Sequence, residues 1–276
     1  MLPLWRNQLC VVLCPDRVIL IGWGKGLRPK VMFQTTLSCI PLSDVPNWQS
    51  ALDAFVYWLG NNEIGRANVN VVLSNHFVRY ALLPYSADVT GRAEEQAMAR
   101  IVFEGIYGEL AKQWQFRIAD GGYGETRLIA AADMSLLERV SDILAPSALS
   151  LTTITPYFVS AFNRFSGQMQ AHDGLFALVE EGLMVVISFK NAQMSCVRRV
   201  SLSGELERVL PNLLHREILI SGLDMESAPI YLHVEGRPDF ILQAVDGLSI
   251  HVLRQTSSVP FFEDARFDMA IVGRWI

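Results

Sequence analysis

The sequence lacks the features that mark several common classes of protein. With a net charge of −5 and a pI near 5.6, it has no basic excess of the kind that nucleic-acid-binding surfaces carry, so we predict no nucleic-acid partner. Its apolar runs are broken by Asp16-Arg17 and Glu180-Glu181, and none reaches the roughly 18 residues of a membrane span. The N-terminal stretch is interrupted at Pro15 and has no small-residue cleavage site, which argues against a signal peptide. These absences predict a cytoplasmic protein without a membrane span.

Residues that carry common catalytic or metal chemistry are also scarce. Four cysteines occur in 276 residues, and the four-residue spacing of Cys10 and Cys14 has no second cluster to complete a zinc site. No C-x-x-C redox pair is present. The five histidines form neither H-x-x-x-H nor H-E-x-x-H, and no G-x-S-x-G elbow occurs. We therefore predict buried free thiols and assign no metal site, cofactor or catalytic residue.

One stretch, "ILIGWGKGLRPK" at residues 19–30, has the look of a phosphate-binding loop. Gly22, Gly24, Lys25 and Gly26 crowd together after an apolar strand. The stretch does not fit G-x-x-x-x-G-K-[ST]. Another strand-like run follows it, so no helix N-terminus would be available to receive a phosphate. The pattern predicts a turn between two strands.

Strand-like and helix-like runs follow an order that occurs twice. Three strand-like runs ("QLCVVLC", "VILIGW" and "KVMFQTTLSC") precede a helical segment and a fourth strand, and the same order starts again near residue 174. No residue-level repeat is visible, so the duplication is one of topology. It predicts an α/β protein with two lobes, each a mixed sheet with helices on its faces. A cleft between such lobes is a natural ligand site.

In two pairs of adjacent charged residues, the expected geometry directs the two side chains to different sides. Glu94 and Glu95 face different ways on a helix, so we interpret them as acids near a helix N-terminus and not as a catalytic pair. Arg198 and Arg199 lie on a predicted strand, where successive side chains point to opposite faces. Both pairs are therefore predicted to have structural roles.

Helix caps are predicted at Ser43 or Asp44 for the first helix and at Ser203 for the corresponding later helix.

The middle of the chain carries a family resemblance. "VNVVLSNHFVRYALLPYS" (69–86), the helix that follows it and "TRLIAAADMSLLERVSDILAPSALSLTTITP" (126–156) resemble PilM-type pilus assembly proteins and the GspL-type cytoplasmic domains of type II secretion. The resemblance implies the actin-like ATPase fold, with two ribonuclease-H-like lobes. It implies that lobe one covers 1–167, with an inserted subdomain around 77–130, and that a smaller lobe two covers 168–276.

The first nucleotide loop departs from the ATP-binding members of this family. Those members carry a strand Asp that organises Mg²⁺ and a turn rich in Gly and Ser, whereas this chain has Val12 near the Asp position. Its turn is Cys14-Pro15-Asp16-Arg17, without glycine. Pro15 removes an N–H donor, and Asp16 places a negative charge where a phosphate would lie.

The other two nucleotide loops depart as well. The second hairpin carries Glu180 and Glu181 where the family pattern is Asp-x-Gly followed by Ser or Thr, and two carboxylates would repel a triphosphate unless a metal intervened. Only Gly236 remains of the glycine pair on the adenosine side. The resemblance therefore predicts a pseudo-ATPase that binds no ATP productively and has no enzymatic activity.

By resemblance, the chain is predicted to be a non-catalytic bacterial scaffold of a type IV pilus or type II secretion platform. It would bind the short cytoplasmic tail of an inner-membrane protein, which would recruit it to that membrane. The resemblance also implies a contact with the assembly ATPase. The helix at 88–112 and the strands beside it are the predicted docking region. The sequence does not decide whether the chain forms a homodimer. One alternative is an ATP-binding actin-like ATPase or kinase-type enzyme. Another is an actin relative that polymerises at a membrane surface. Such relatives usually carry a basic amphipathic helix at one terminus, and the C-terminal stretch "FFEDARFDMAIVGRWI" of this chain is not basic.

Overall fold

The computed structural model describes residues 6–26, 29–89, 91–169, 173–224, 227–242, 247–255 and 264–273. Parts of three stretches interpreted above lie outside these residues, namely 1–5, 27–28 and the ends of the C-terminal stretch, 261–263 and 274–276.

Runs of one to three consecutive strands are separated by α-helices along the described residues. The strands are β1 (Asn7–Leu13), β2 (Arg17–Trp23), β3 (Val31–Ser38), β4 (Ala67–Leu73), β5 (Val78–Leu83), β6 (Trp114–Ile118), β7 (Arg127–Asp133), β8 (Leu149–Pro156), β9 (Gly174–Glu180), β10 (Leu183–Lys190), β11 (Gln193–Ser201), β12 (Pro229–Val234) and β13 (Ser249–Val252). The α-helices are α1 (Gln49–Asn61), α2 (Arg92–Tyr107), α3 (Met134–Leu144), α4 (Tyr157–Phe165), α5 (Leu206–Ser221) and α6 (Asp268–Val272). In the part of the chain that the structure describes, 3-10 helices cover Gly108–Gln113, Ser166–Gln168 and Ala265–Phe267.

The first sheet has five strands in the order β3-β2-β1-β4-β8. β1, β2 and β3 are joined by short turns and pair antiparallel, whereas β4 and β8 run parallel to β1. The chain crosses from β3 to β4 through α1, as a parallel connection requires. β1 and β2 are buried along almost their whole length, which explains why their sequences are nearly continuous apolar runs.

The second sheet repeats this order as β11-β10-β9-β12-β13. Again the first three strands pair antiparallel and the last two run parallel to the first, with α5 as the crossover. Gly182 lies in the β9–β10 turn with φ +73°, a conformation that favours glycine. The predicted duplication of topology is therefore confirmed.

A third, smaller sheet has the order β5-β7-β6. α2 packs on it, and the two share a core that includes Ala99, Phe103, Phe116 and Ile129. The Phe103 ring lies 5.0 Å from the Phe116 ring, so aromatic packing holds the helix on the sheet.

The contacts divide the chain into two compact units. One is formed within 1–78, 133–164 and 256–276, and the other within 79–132 and 165–255. The first unit contains the first sheet, and the second unit contains both the second sheet and the small β5-β7-β6 sheet. The lobe boundary at 167/168 and the inserted subdomain at 77–130 stay a prediction.

α5 places one charged side chain in an otherwise apolar interface. Leu210, Leu214 and Ile218 pack against the second sheet. Glu217 is fully buried on the same helix, and its carboxylate lies 2.9 Å from the Arg216 guanidinium. On the other side, Arg198 Nε of β11 lies 3.0 Å from Glu217 Oε2, an ion pair without hydrogen-bond alignment.

The predicted helix caps are wrong in both lobes. α1 begins at Gln49 and not after Ser43 or Asp44, because Pro46 disfavours helical conformation in the residue before it and its carbonyl accepts from Gln49 N at 2.9 Å. α5 begins after Glu205, which makes no side-chain cap. Gly204, at φ +94°, separates the predicted cap Ser203 from that helix.

Candidate functional site

The polar groups of the β1–β2 turn are engaged within the protein, and the Asp16 carbonyl accepts from Cys39 N at 2.7 Å. Cys14 N donates to the carbonyl of Arg17 at 2.9 Å, and Arg17 Nη1 lies 2.8 Å from the Asp16 carboxylate. Pro15 has no N–H to offer. Val12 is fully buried and supplies no metal ligand. The turn is therefore closed by its own hydrogen bond and ion pair.

The β9–β10 hairpin places one of its two carboxylates inside the protein. Glu180 is buried, whereas Glu181 is exposed. Burial raises the pKa of Tyr80 well above its ordinary value; the nearby Glu180 carboxylate raises it further, and Arg199 lowers it. Glu180 therefore belongs to a cluster of polar side chains with Tyr80 and Arg199.

The cluster also contains a second arginine. Burial, and next the neighbouring Arg79 guanidinium, lower the pKa of Arg199 to about 10. Burial likewise lowers the pKa of Arg79. Arg199 points away from α5, whereas Arg198 on the same strand contacts Glu217 of that helix. This confirms the prediction that the two adjacent arginines face opposite sides of the sheet.

The third loop follows β12 and contains a core histidine. His233 is buried, its ring lies 4.7 Å from the Phe165 ring, and its Nδ1 donates to the Leu253 carbonyl at 3.1 Å. Gly236 adopts φ +69° in the turn that follows. His233 therefore has a packing role.

The glycine-rich stretch after β2 is a turn, as predicted. Gly24 N donates to the Lys30 carbonyl at 2.9 Å, and Lys25 N donates to Asn7 Oδ1 at 3.2 Å. Gly22 lies directly against the Phe33 ring, so a side chain would not fit there. The next element is β3 and not a helix.

Glu94 and Glu95 diverge, as adjacent helix positions require. Glu94 accepts from Gly91 N at 3.3 Å at the start of α2. Glu95 Oε1 lies 2.8 Å from Arg127 Nη2 of β7. Both carboxylates lie in the first turn of the helix, where negative charge is favourable, so their predicted position near a helix N-terminus is confirmed.

The predicted docking region carries exposed apolar side chains. Ile101 and Ile106 of α2 are 68% and 59% exposed, and Leu110 in the following 3-10 helix is 60% exposed. Large apolar side chains grouped on a surface are typical of interaction sites.

Solved structures match this architecture over nearly the whole chain. A chain of the PilM–PilN type IV pilus biogenesis complex has a TM-score of 0.62 at 14% identity, covering 98% of this chain and 97% of that one. A Bacteroides thetaiotaomicron protein of unknown function with the actin-like ATPase fold has a TM-score of 0.60 at 11% identity, covering 98% and 96%. The chain has the actin-like ATPase fold. The two five-stranded sheets are its ribonuclease-H-like lobes.

A third actin-like match is the cytoplasmic domain of EpsL, an inner-membrane component of the type II secretion system of Vibrio cholerae. It has a TM-score of 0.56 at 14% identity, covering 97% of this chain and 94% of that domain. Identities this low show the actin-like fold alone. No protein-family model matches the chain, and no curated protein matches it significantly.

Within the actin-like fold, the structure adds one site that the sequence did not indicate. A cavity of about 190 Å³ lies where β5 ends, beside the start of α2 and the β6–β7 turn. Its rim includes Tyr85 and Tyr123, which are distant in the sequence. Only an alignment with tyrosines at both positions could have signalled it.

The described ranges of the chain lack two further kinds of feature. Within those residue ranges, no three His, Cys, Asp or Glu side chains are grouped so that they could hold a metal ion. In the same part of the chain, no helix combines the length and the apolar character that crossing a bilayer requires.

Proposed function

We propose that this chain is a non-catalytic scaffold that binds the cytoplasmic tail of an inner-membrane protein in a type IV pilus or type II secretion platform. The observation that carries the proposal is the state of the two hairpins that hold phosphate in ATP-binding members of the fold. One is closed by the Asp16–Arg17 ion pair, and the other directs Glu180 into a buried cluster with Tyr80.

Rebuilding either hairpin for a triphosphate would be costly. Pro15 leaves the first turn one N–H donor short, and the Cys14 N–H is already used. In the second hairpin, withdrawing Glu180 from the cluster would take its negative charge away from Arg199, whose neighbour Arg79 is also positively charged. These arrangements favour a fold that is kept for its surface and not for nucleotide turnover.

The fold neighbours support the choice of partner. Two of the structures described above are named for pilus or secretion systems: one belongs to a PilM–PilN type IV pilus biogenesis complex, and one is the cytoplasmic domain of an inner-membrane component of a type II secretion system. The proposed location is therefore the cytoplasmic face of the inner membrane, reached through the bound tail.

Exposed apolar side chains on α2 support the proposal that the tail docks there. Ile101 and Ile106 expose apolar area that an extended or helical peptide would cover. The β5-β7-β6 sheet beside it has edge strands in β5 and β6, which could pair with an extended tail.

Site-specific photo-crosslinking in the native host tests this proposal. A photoreactive amino acid at Ile106 should give a light-dependent adduct with an inner-membrane protein, joined through its cytoplasmic tail as mapped by mass spectrometry. The matched control places the same residue at Tyr57, which is 76% exposed on α1. Adducts only with cytosolic proteins, or equal adducts at both positions, would contradict the proposal.

A further inference from the structure

The cavity beside α2 is lined by three segments: the one that follows β5, the helix α2 and the β6–β7 turn. Pro84 and Tyr85 follow β5, Met98 comes from α2, and Gly122 and Tyr123 come from the β6–β7 turn. Its volume of about 190 Å³ is below the roughly 300–1,000 Å³ of pockets for drug-sized ligands. The cavity is therefore suited to one long side chain.

Two tyrosines form an exposed aromatic wall. Tyr85 is 42% exposed and Tyr123 is 91% exposed, and their rings meet edge-to-face with centroids 5.0 Å apart. A hydrogen bond to Tyr123 raises the pKa of Tyr85, so the Tyr85 phenol stays neutral at physiological pH. Exposed rings of this kind present negative quadrupole faces to a ligand.

The charged groups of the cavity leave a negative balance. Glu95 is paired with Arg127 at 2.8 Å, and both side chains are about three-quarters buried. Glu125 accepts from Gly122 N at 2.6 Å and has no arginine or lysine partner among the ion pairs of the described residues. Two carboxylates and one guanidinium give the lining a formal charge of −1.

We propose that this cavity takes one lysine or arginine side chain of the partner's cytoplasmic tail. An aromatic wall next to an uncompensated carboxylate favours a cation with an apolar stem, because the rings cover the stem and attract the charge. The inference rests on the proposed function, since cytoplasmic segments that flank membrane spans are rich in lysine and arginine.

Peptide titration of the full chain tests the cavity. The probes are acetylated, amidated Gly-Ser-Xaa-Ser-Gly peptides with lysine, arginine, norleucine or glutamate at Xaa, observed through the ¹³C-methyl signal of Met98 and assigned with Met98→Leu. The lysine and arginine peptides should give saturable shifts in the millimolar range, whereas the norleucine and glutamate peptides should not. Equal shifts with norleucine, or none with any peptide, would overturn the inference.

Variants locate the binding. Tyr123→Ala should weaken binding of the lysine peptide at least about threefold, since it removes a cation–π partner. Glu125→Gln should also weaken it, because the amide keeps the shape and the acceptor oxygen but removes the charge. The control Tyr57→Ala, on α1, should leave the affinity unchanged. Unchanged affinity in both cavity variants would overturn the assignment.

The two proposals fail separately. If the basic peptides bind at Met98 but the Ile106 crosslink yields no inner-membrane protein, the cavity stands as a site for a basic side chain and the scaffold function falls. If that crosslink forms and Tyr123→Ala and Glu125→Gln leave both its yield and the Met98 signal unaffected, the function stands and the cavity inference falls.

Discussion

The two five-stranded sheets share one strand order but differ in what their strands bury. β1 and β2 of the first sheet bury apolar side chains and the Cys10 thiol, and the turn between them buries Cys14. The second sheet buries Glu180 toward one face, and on the other face its Arg198 pairs with Glu217. Because the described strands of the first sheet bury no charged side chain, the shared topology depends on apolar strand segments and turns.

The charges of the second sheet therefore have a separate role. Each lies where a different element packs: Arg198 meets α5, and Arg199 lies with Arg79 and Tyr80 of β5. Buried ion pairs contribute little net stability, but they penalise any packing that leaves one member alone. We infer that they fix which neighbour covers each face.

The largest expected effect is the loss of Glu217. Glu217→Ala should lower the free energy of unfolding by about 3 kcal/mol, near the low end for breaking a buried pair, because Arg198 and Arg216 are half-exposed and can be rehydrated. Urea unfolding followed by circular dichroism measures the change. The control is Glu207→Ala, in an exposed pair on the same helix, which should leave the midpoint almost unchanged.

An apolar replacement sharpens this test. Glu217→Met combined with Arg198→Met should recover most of the stability lost in Glu217→Ala, because no charge is then left buried alone. If the double variant is as unstable as Glu217→Ala, the charge pair contributes net stability and the inferred role in packing specificity is wrong.

In the cluster on the other face, replacing Glu180 and replacing Arg199 should lower the stability by different amounts. Glu180→Gln should cost about 2 kcal/mol, since it leaves the guanidiniums of Arg79 and Arg199 without the carboxylate. Arg199→Met should cost less, since it also removes the repulsion from Arg79. Thermal or urea unfolding of the two variants at neutral pH compares them, and a larger loss for Arg199→Met would contradict the assignment of Glu180 as the compensating charge.

The protein should lose stability at high pH because the first sheet buries the thiol of Cys10 in its neutral form. Burial raises the pKa of the Cys10 thiol from 9.0 to about 12. The unfolded chain therefore loses this proton above pH 9 while the folded chain keeps it, so stability is intact below pH 9 and falls as pH rises toward about 12.

By pH 10 the wild type should have lost about 1.4 kcal/mol more than Cys10→Ala, relative to pH 8. Urea unfolding at the two pH values measures this difference, in which the other titrating groups cancel. An equal loss in both proteins would show that the Cys10 thiol is not shielded from water.

Local patterns predicted the architecture well. Apolar runs of strand length, separated by turns, indicated both copies of the strand order, and the alternation along β11 placed Arg198 and Arg199 on opposite faces. Helix starts were less predictable, since Pro46 and Gly204 shift them past good capping residues.

Contacts between distant residues could not be predicted. Glu217 stands on a helix where a charged residue normally faces water, and only the position of Arg198 on a neighbouring strand explains its burial. The cavity depends on Tyr85 and Tyr123 meeting, which follows from the order β5-β7-β6 and not from either local sequence.

The central claim is that this actin-like chain functions without ATP. The most direct test is isothermal titration of the purified protein with ATP and Mg²⁺, with an ATP-binding member of the fold as the positive control in the same buffer. The account predicts no binding tighter than about millimolar, which corresponds to about −4 kcal/mol. A micromolar dissociation constant would contradict it and would favour an ATP-driven switch or enzyme.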